Sequence, residues 1–337
     1  MLKKPYFIAE IGVNHEANLE LAKKIIKDAK LGGASAVKLQ SYKAEKLTSK
    51  YARSYWDKKA ESEESQLKLY KKYDKFGYKD YLKLIDYCKK INIDFIITPF
   101  DINQINFFKN KVKYFKISSS DITNFILIEK ISLTNKPIIL STGASKISEI
   151  KAAINLIKKK HNKITLLHCI LNYPTKRYSA NLNMINDLKK TFKLPIGISD
   201  HTIPSDSHDV LAYSCFKEIV MIEKHFTNNK NKKGNDHFHS FDKYDLIKFS
   251  KKIEDINKIL GSSKKTFLKS EIKSRKNARR SLFYDSDISK NSKINIKNII
   301  SLRPAIGICP SKYKEIIGKK ININVKKGDL IRYSHFK

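Results

Sequence analysis

The chain contains no run of 18 or more apolar residues, which excludes a helical membrane span. It also lacks any CxxC pair. Cys88, Cys169, Cys215 and Cys309 are scattered, each in or beside an apolar run, and read as buried reduced thiols rather than a zinc or disulfide set. The run Tyr6-Phe7-Ile8-Ala9 behind Met1–Pro5 is too short for a secretory core and lacks a small-residue cleavage site, so a cytoplasmic protein is expected. No internal repeat or low-complexity tract is visible. Acidic residues are scarce: 33 Asp and Glu face 68 Lys and Arg, a formal charge of +35. That excess invites a nucleic-acid reading. The lysines, however, are spread along the whole chain and rarely alternate with aromatics, as a base-stacking platform requires. Abundant Ile and Asn point to an AT-rich genome that inflates Lys everywhere. No nucleic-acid or membrane partner is expected, and the charge is left a modest role in attracting anionic substrates.

What is present is a core: 41% of residues are hydrophobic, with 17 Phe and 17 Tyr, enough for a folded chain of this length. Short β-type runs alternate with amphipathic stretches eight times. The runs are Tyr6–Gly12, Ala36–Ser41, Asp94–Phe100, Tyr114–Ser119, Pro137–Gly143, Ile164–Cys169, Pro195–Asp200 and Ile219–Phe226. Between them, Leu19, Ala22, Ile25, Ile26 and Ala29 fall at helical spacing, and later stretches repeat the pattern. Apolar strands separated by helices imply a parallel sheet, and eight units over roughly 260 residues match an α/β, (β/α)8 TIM barrel. One charged, Tyr-rich insertion, Lys43 to Gly77, follows the second strand and would lie on the catalytic face. After Gly261 the pattern changes. The expected organisation is a barrel over 1–262, a polar linker over 263–279, and a small, mostly β domain over 280–337 with β runs at 281–284, 294–296, 308–309, 321–325 and 330–333.

Polar residues recur at the strand ends, where a barrel gathers its active site. They include Glu10, Lys38 and Gln40, Lys116 and Ser119 with Asp121, Ser141-Thr142-Gly143, His168, Ser199-Asp200-His201 and Glu223-Lys224-His225. Ionisable groups inside apolar strands are costly unless paired or bound, so the set implies a charged pocket. Lys38, Lys116, Ser119, Ser141 and Ser199 suit a small phosphorylated anion. His201 and His225, on neighbouring strands, can share a divalent metal. His168 reads as a packed residue.

Ten ordered blocks carry a resemblance across essentially the whole chain. They begin with Ala9–His15 and Ala36–Gln40. They continue through Thr98–Asp101, Phe115–Ser119, Leu140–Gly143, Leu167–Cys169, Asn172–Thr175, Gly197–Thr202, Glu223–Phe226 and Asp236-His237. Together they resemble the N-acetylneuraminate (sialic acid) synthase family, and Ala278–Leu282 with Leu302-Arg303-Pro304 resembles its antifreeze-like (SAF) domain. The resemblance implies condensation of phosphoenolpyruvate with an acylamino-sugar aldehyde such as N-acetylmannosamine, releasing phosphate. It implies a domain-swapped homodimer and a metal, Mn2+ first and Mg2+ or Co2+ as alternatives, on His201 and His225. Lys38, Gln40, Lys116, Ser119, Ser141 and Ser199 would hold substrate. Glu10, Asp121, Tyr173 and Asp236 would face the sugar or its water, the three carboxylates as catalytic groups. Arg303 would reach the acylamino group from the other subunit. Four positions depart from the family pattern: Asp121 replaces Glu, Leu171 stands where some members have Asn, no Gly follows Glu16-Ala17, and Ala305 replaces a Gly that would matter if φ were positive. The competing expectations are a synthase acting on phosphorylated aldoses, a basic polyanion binder and a degenerate barrel.

Overall fold

Strands that are apolar along their whole length need cover on both faces, and here they receive it by closing on themselves. In a computed structural model of the chain, residues 2–59, 61–234 and 236–336 are described. Eight parallel strands close into a barrel in sequence order. They are β1 Tyr6–Gly12, β2 Ala36–Ser41, β3 Asp94–Pro99, β4 Phe115–Ile117, β5 Ile138–Ser141, β6 Ile164–Cys169, β7 Ile196–Asp200 and β8 Met221–His225. β1 pairs with β8, and Glu10 lies in register with both Lys38 and His225.

The period of two along each strand decides what faces where. Phe7, Ala9, Ile11, Val37 and Leu39 point outward into the core shared with the helices. Ile8, Ala36, Ile96, Ile139, Leu167 and Met221 point inward and form one apolar layer. Two residues further along the same strands, the inward positions become Glu10, Lys38, Thr98, Ser141, Cys169 and Glu223. An apolar plug thus carries a polar layer directly above it. Gly197 occupies the apolar level on β7; a Cβ there would sit 2.5 Å from the Met221 carbonyl oxygen and 2.6 Å from Leu167 Cδ2. Only glycine fits that level.

The first helix, Leu19–Gly32, starts at Asn18, whose side chain accepts from Leu21 N–H, and stops at Gly33 with φ 96°. It buries Ala22, Ile25, Ile26 and Ala29, the stripe read from the sequence. The insertion after β2 holds two short helices, Ala44–Leu47 and Gln66–Tyr73. Glu16 and Ala17 adopt φ 49° and 53° in the loop after β1, where a glycine would be relaxed.

The chain divides at Gly261/Ser262 into two compact units. In the second, β9 Ser281–Tyr284 pairs antiparallel with β10 Ile299–Leu302. A small core gathers Leu282, Tyr284, Ile294, Ile308, Ile316, Ile321, Val325 and Ile331. The sequence reading of this unit changes. β10 had no place among the expected runs, 294–296 supplies the buried Ile294 without forming a strand, 308–309 is not a strand, and 321–325 and 330–333 contribute only single bridges at Ile321, Val325 and Leu330. The polar stretch before β9 contains a fully exposed helix, Ile272–Ala278. Ala305 does not have positive φ, so its side chain costs the turn nothing. Cys88, Cys169 and Cys215 are buried, but Cys309 is exposed, contrary to expectation.

Candidate active site

The polar layer forms the floor of the site. Lys38 pairs with Glu10 and donates to Thr98 Oγ1 at 3.0 Å. Lys116 lies 3.5 Å from Glu223 Oε1, and Ser199 donates to the same oxygen at 2.9 Å. Both lysines and both glutamates are buried. Burial raises the Glu10 carboxyl above its ordinary range, although Lys38 opposes it. Burial pushes Glu223 the same way, but Lys116 and Lys38 together hold it below that range. The Lys116 ammonium is pulled below the usual lysine range by burial, with Lys38 acting in the same direction. Two cations are thus matched by two carboxylates. Gln40 donates to Glu10 Oε1 at 3.1 Å. Ser119 accepts from Gly143 N–H at 2.9 Å, which fixes the strand-to-helix turn after β5. Ser141 Oγ is buried with no hydrogen-bond partner among the described residues.

Above the floor stand the histidines. His201 Nδ1 lies 2.9 Å from the Ile170 carbonyl oxygen; a carbonyl only accepts, so Nδ1 carries a proton and Nε2 is the atom left to meet a ligand. The His201 and His225 rings are 5.4 Å apart between centroids. Tyr173 packs on His201 at 4.2 Å. One ligand atom each from His225, Asp236 and His239 lies within 4.8 Å of the others, and all three residues are buried. Burial, reinforced by the neighbouring His239 and His201, keeps the His225 imidazole well below its ordinary pKa. A buried cluster of two imidazoles and a carboxylate is a donor set that suits a divalent transition metal.

Outward from these lies a cavity of about 410 Å3. Asp121, Asp236, Gln40 and Tyr173 face it from the barrel, and Tyr55, Trp56, Glu61 and Tyr70 from the insertion. Tyr55 packs on Tyr173 at 5.9 Å, tying the insertion to the barrel. Among the described residues that line it there is no Lys or Arg. Asp121 is half-buried, accepts from Asn124 Nδ2 at 3.0 Å, and has its carboxyl pKa raised by burial.

Twelve of the residues singled out in the sequence therefore line this one site: Glu10, Lys38, Gln40, Lys116, Ser119, Asp121, Ser141, Tyr173, Ser199, His201, His225 and Asp236. Arg303 belongs to the second unit, where it is exposed. His168 points away from the pocket, its Nε2 2.8 Å from the Ala180 carbonyl oxygen. His239 was not picked out beforehand, and Glu223 was read only as one of the polar residues at the strand ends, with no role assigned. Glu223 was visible through its inward parity two residues after Met221; His239 sits in a loop whose path no periodicity reveals.

The comparisons with known proteins agree with this geometry. The profile of the NeuB family matches residues 25–265, and that of the SAF domain residues 279–337. The chain is 40% identical over 337 residues to the N,N'-diacetyllegionaminic acid synthase of Campylobacter jejuni subsp. jejuni, covering 98% of this chain and 100% of the relative. It is 33% identical over 331 residues to the pseudaminic acid synthase of Helicobacter pylori, covering 95% and 94%. The crystal structure of an N-acetylneuraminic acid (sialic acid) synthetase from Leptospira borgpetersenii in complex with citrate aligns with a TM-score of 0.69 at 34% identity. That alignment covers 80% of this chain and 90% of the other.

Proposed function

The chain belongs to the NeuB family of nonulosonic acid synthases, and we propose that it joins phosphoenolpyruvate to an unphosphorylated acylamino-sugar aldehyde, releasing phosphate. One observation carries this reading: a lysine and serine floor lies beneath an aromatic cavity whose described lining contains carboxylates but no Lys or Arg. The enol phosphate is the anionic partner and belongs on the floor. Lys38 and Lys116 face its charge, and Ser141, whose buried hydroxyl has no partner among the described residues, donates to it. A phosphorylated sugar in the outer cavity would meet Glu61, Asp121 and Asp236 instead, which favours a neutral acceptor.

The reaction forms a carbon–carbon bond between the enol carbon and the aldehyde carbon, adds water at the neighbouring carbon and expels phosphate. The aldehyde oxygen must gain a proton and the attacking water must lose one. Glu10, with its raised pKa beside Lys38 and Gln40, is placed to hold and pass that proton. Asp121 and Asp236 orient the sugar hydroxyls, and Tyr173 closes the site over His201. His225 and His201 would hold a divalent cation, Mn2+ in the first instance, which supplies Lewis-acid polarisation of a carbonyl oxygen when bound. In a homodimer of this family type, Arg303 serves the acylamino group.

The test is phosphate release from phosphoenolpyruvate with a panel of aldoses, the products identified by mass spectrometry. N-acetylmannosamine or a diacetamido-trideoxyhexose should react. Turnover confined to phosphorylated aldoses would refute the assignment.

A further inference from the structure

We propose that His239 is a further protein ligand of the divalent cation that His201 and His225 would hold, its ring 6.4 Å and 4.8 Å from theirs between centroids, with Asp236 beside it. The proposal rests on the reading above that a cation binds in this pocket. The donor atoms come from the ends of β7 and β8 and from the loop that follows β8. Asp236 Oδ2 is 3.5 Å from His225 Nδ1.

The loop is held in place before any ion arrives. Asn14 Nδ2 donates to the Phe226 carbonyl and to Ser240 Oγ, both at 3.1 Å, and Phe241 N–H donates to the His225 carbonyl at 2.7 Å. These bonds pin Ser240 and Phe241, the two residues that follow His239, close to the end of the strand that carries His225. The other loop histidine is committed elsewhere: His237 Nδ1 is 2.8 Å from Thr227 Oγ1, and its Nε2 is 3.5 Å from Glu16. Of the two, only His239 converges on His225 and Asp236. Imidazole donors from His201, His225 and His239 favour transition metals over Mg2+ or Ca2+, and they leave coordination positions for substrate oxygens.

Co2+ binding to the chelator-stripped full-length protein tests this, followed by calorimetry and by visible absorption, which reports nitrogen ligation. In the wild type Co2+ should bind with a defined band. His239→Ala should weaken binding by about tenfold or more, since even residues outside the coordination shell act on that scale, and it should shift the band. His237→Ala should leave both unchanged. His239→Gln, which keeps a polar side chain, repeats the test should the alanine variant melt early. If His225→Ala loses Co2+ while both His239 variants keep wild-type affinity and spectrum, His239 is not a ligand, though the cation reading stands. If the wild type itself takes up no Co2+, Mn2+ or Zn2+, the cation reading falls and this proposal with it.

Discussion

Ser141 and His15 show how much a single side chain can report. The Ser141 hydroxyl is buried without a protein partner among the described residues, a costly state unless a ligand fills it. Ser141→Ala should therefore raise KM for phosphoenolpyruvate about tenfold, the equivalent of ~1.4 kcal/mol, while leaving KM for the acceptor and the melting temperature unchanged. Steady-state kinetics with each substrate varied would check it. His15 stacks on Phe76 at 4.5 Å, and burial pushes its pKa down to about 4 from the ordinary 6.5. Between those values the unfolded chain binds the proton and the folded chain does not. Stability should thus fall as pH drops from 6.5 to 4, with His15 contributing about 3 kcal/mol of the loss and none of it above pH 6.5. Unfolding free energies of wild type and His15→Asn across that range would isolate it.

At the scale of the element, strand parity is the organising fact. Gly197→Ala would force a methyl against the Met221 carbonyl and Leu167, so it should destabilise the barrel by about 2–3 kcal/mol and lower its melting temperature by several degrees. A melt within a degree of wild type would mean β7 can shift. Parity also explains what the sequence could say. β1, β2 and β6 were legible to the residue from their β-type runs. The expected run Tyr114–Ser119 shrank to Phe115–Ile117 because Ser119 already opens a tight helical turn through Asp121. Polar strand residues looked alike beforehand. The fold sorts Lys38, Lys116 and Glu223 inward but Lys224 and Asp200 outward, where those two pair at 2.7 Å. Counting by twos from Ile8 or Met221 would have separated them. No such count reaches Tyr55 or His239, whose positions depend on how loops return.

For the whole molecule, the charge of +35 sets a long-range field that draws anions and weakens with salt. KM for phosphoenolpyruvate should rise between about 50 and 500 mM NaCl, over which screening lengths fall severalfold, while KM for a neutral acceptor stays nearly flat. Parallel rises for both substrates would point to an anionic acceptor and against the proposed function.

The wall and the floor of the site come from different parts of the chain. The floor is woven into barrel strands, where each residue is locked by two neighbours; the aromatic wall hangs on one insertion, Lys43 to Gly77. Under the proposed function, recombination or drift in that single segment would retune the acceptor while the floor is inherited intact. A lineage built this way can change what its outer cavity admits one loop at a time.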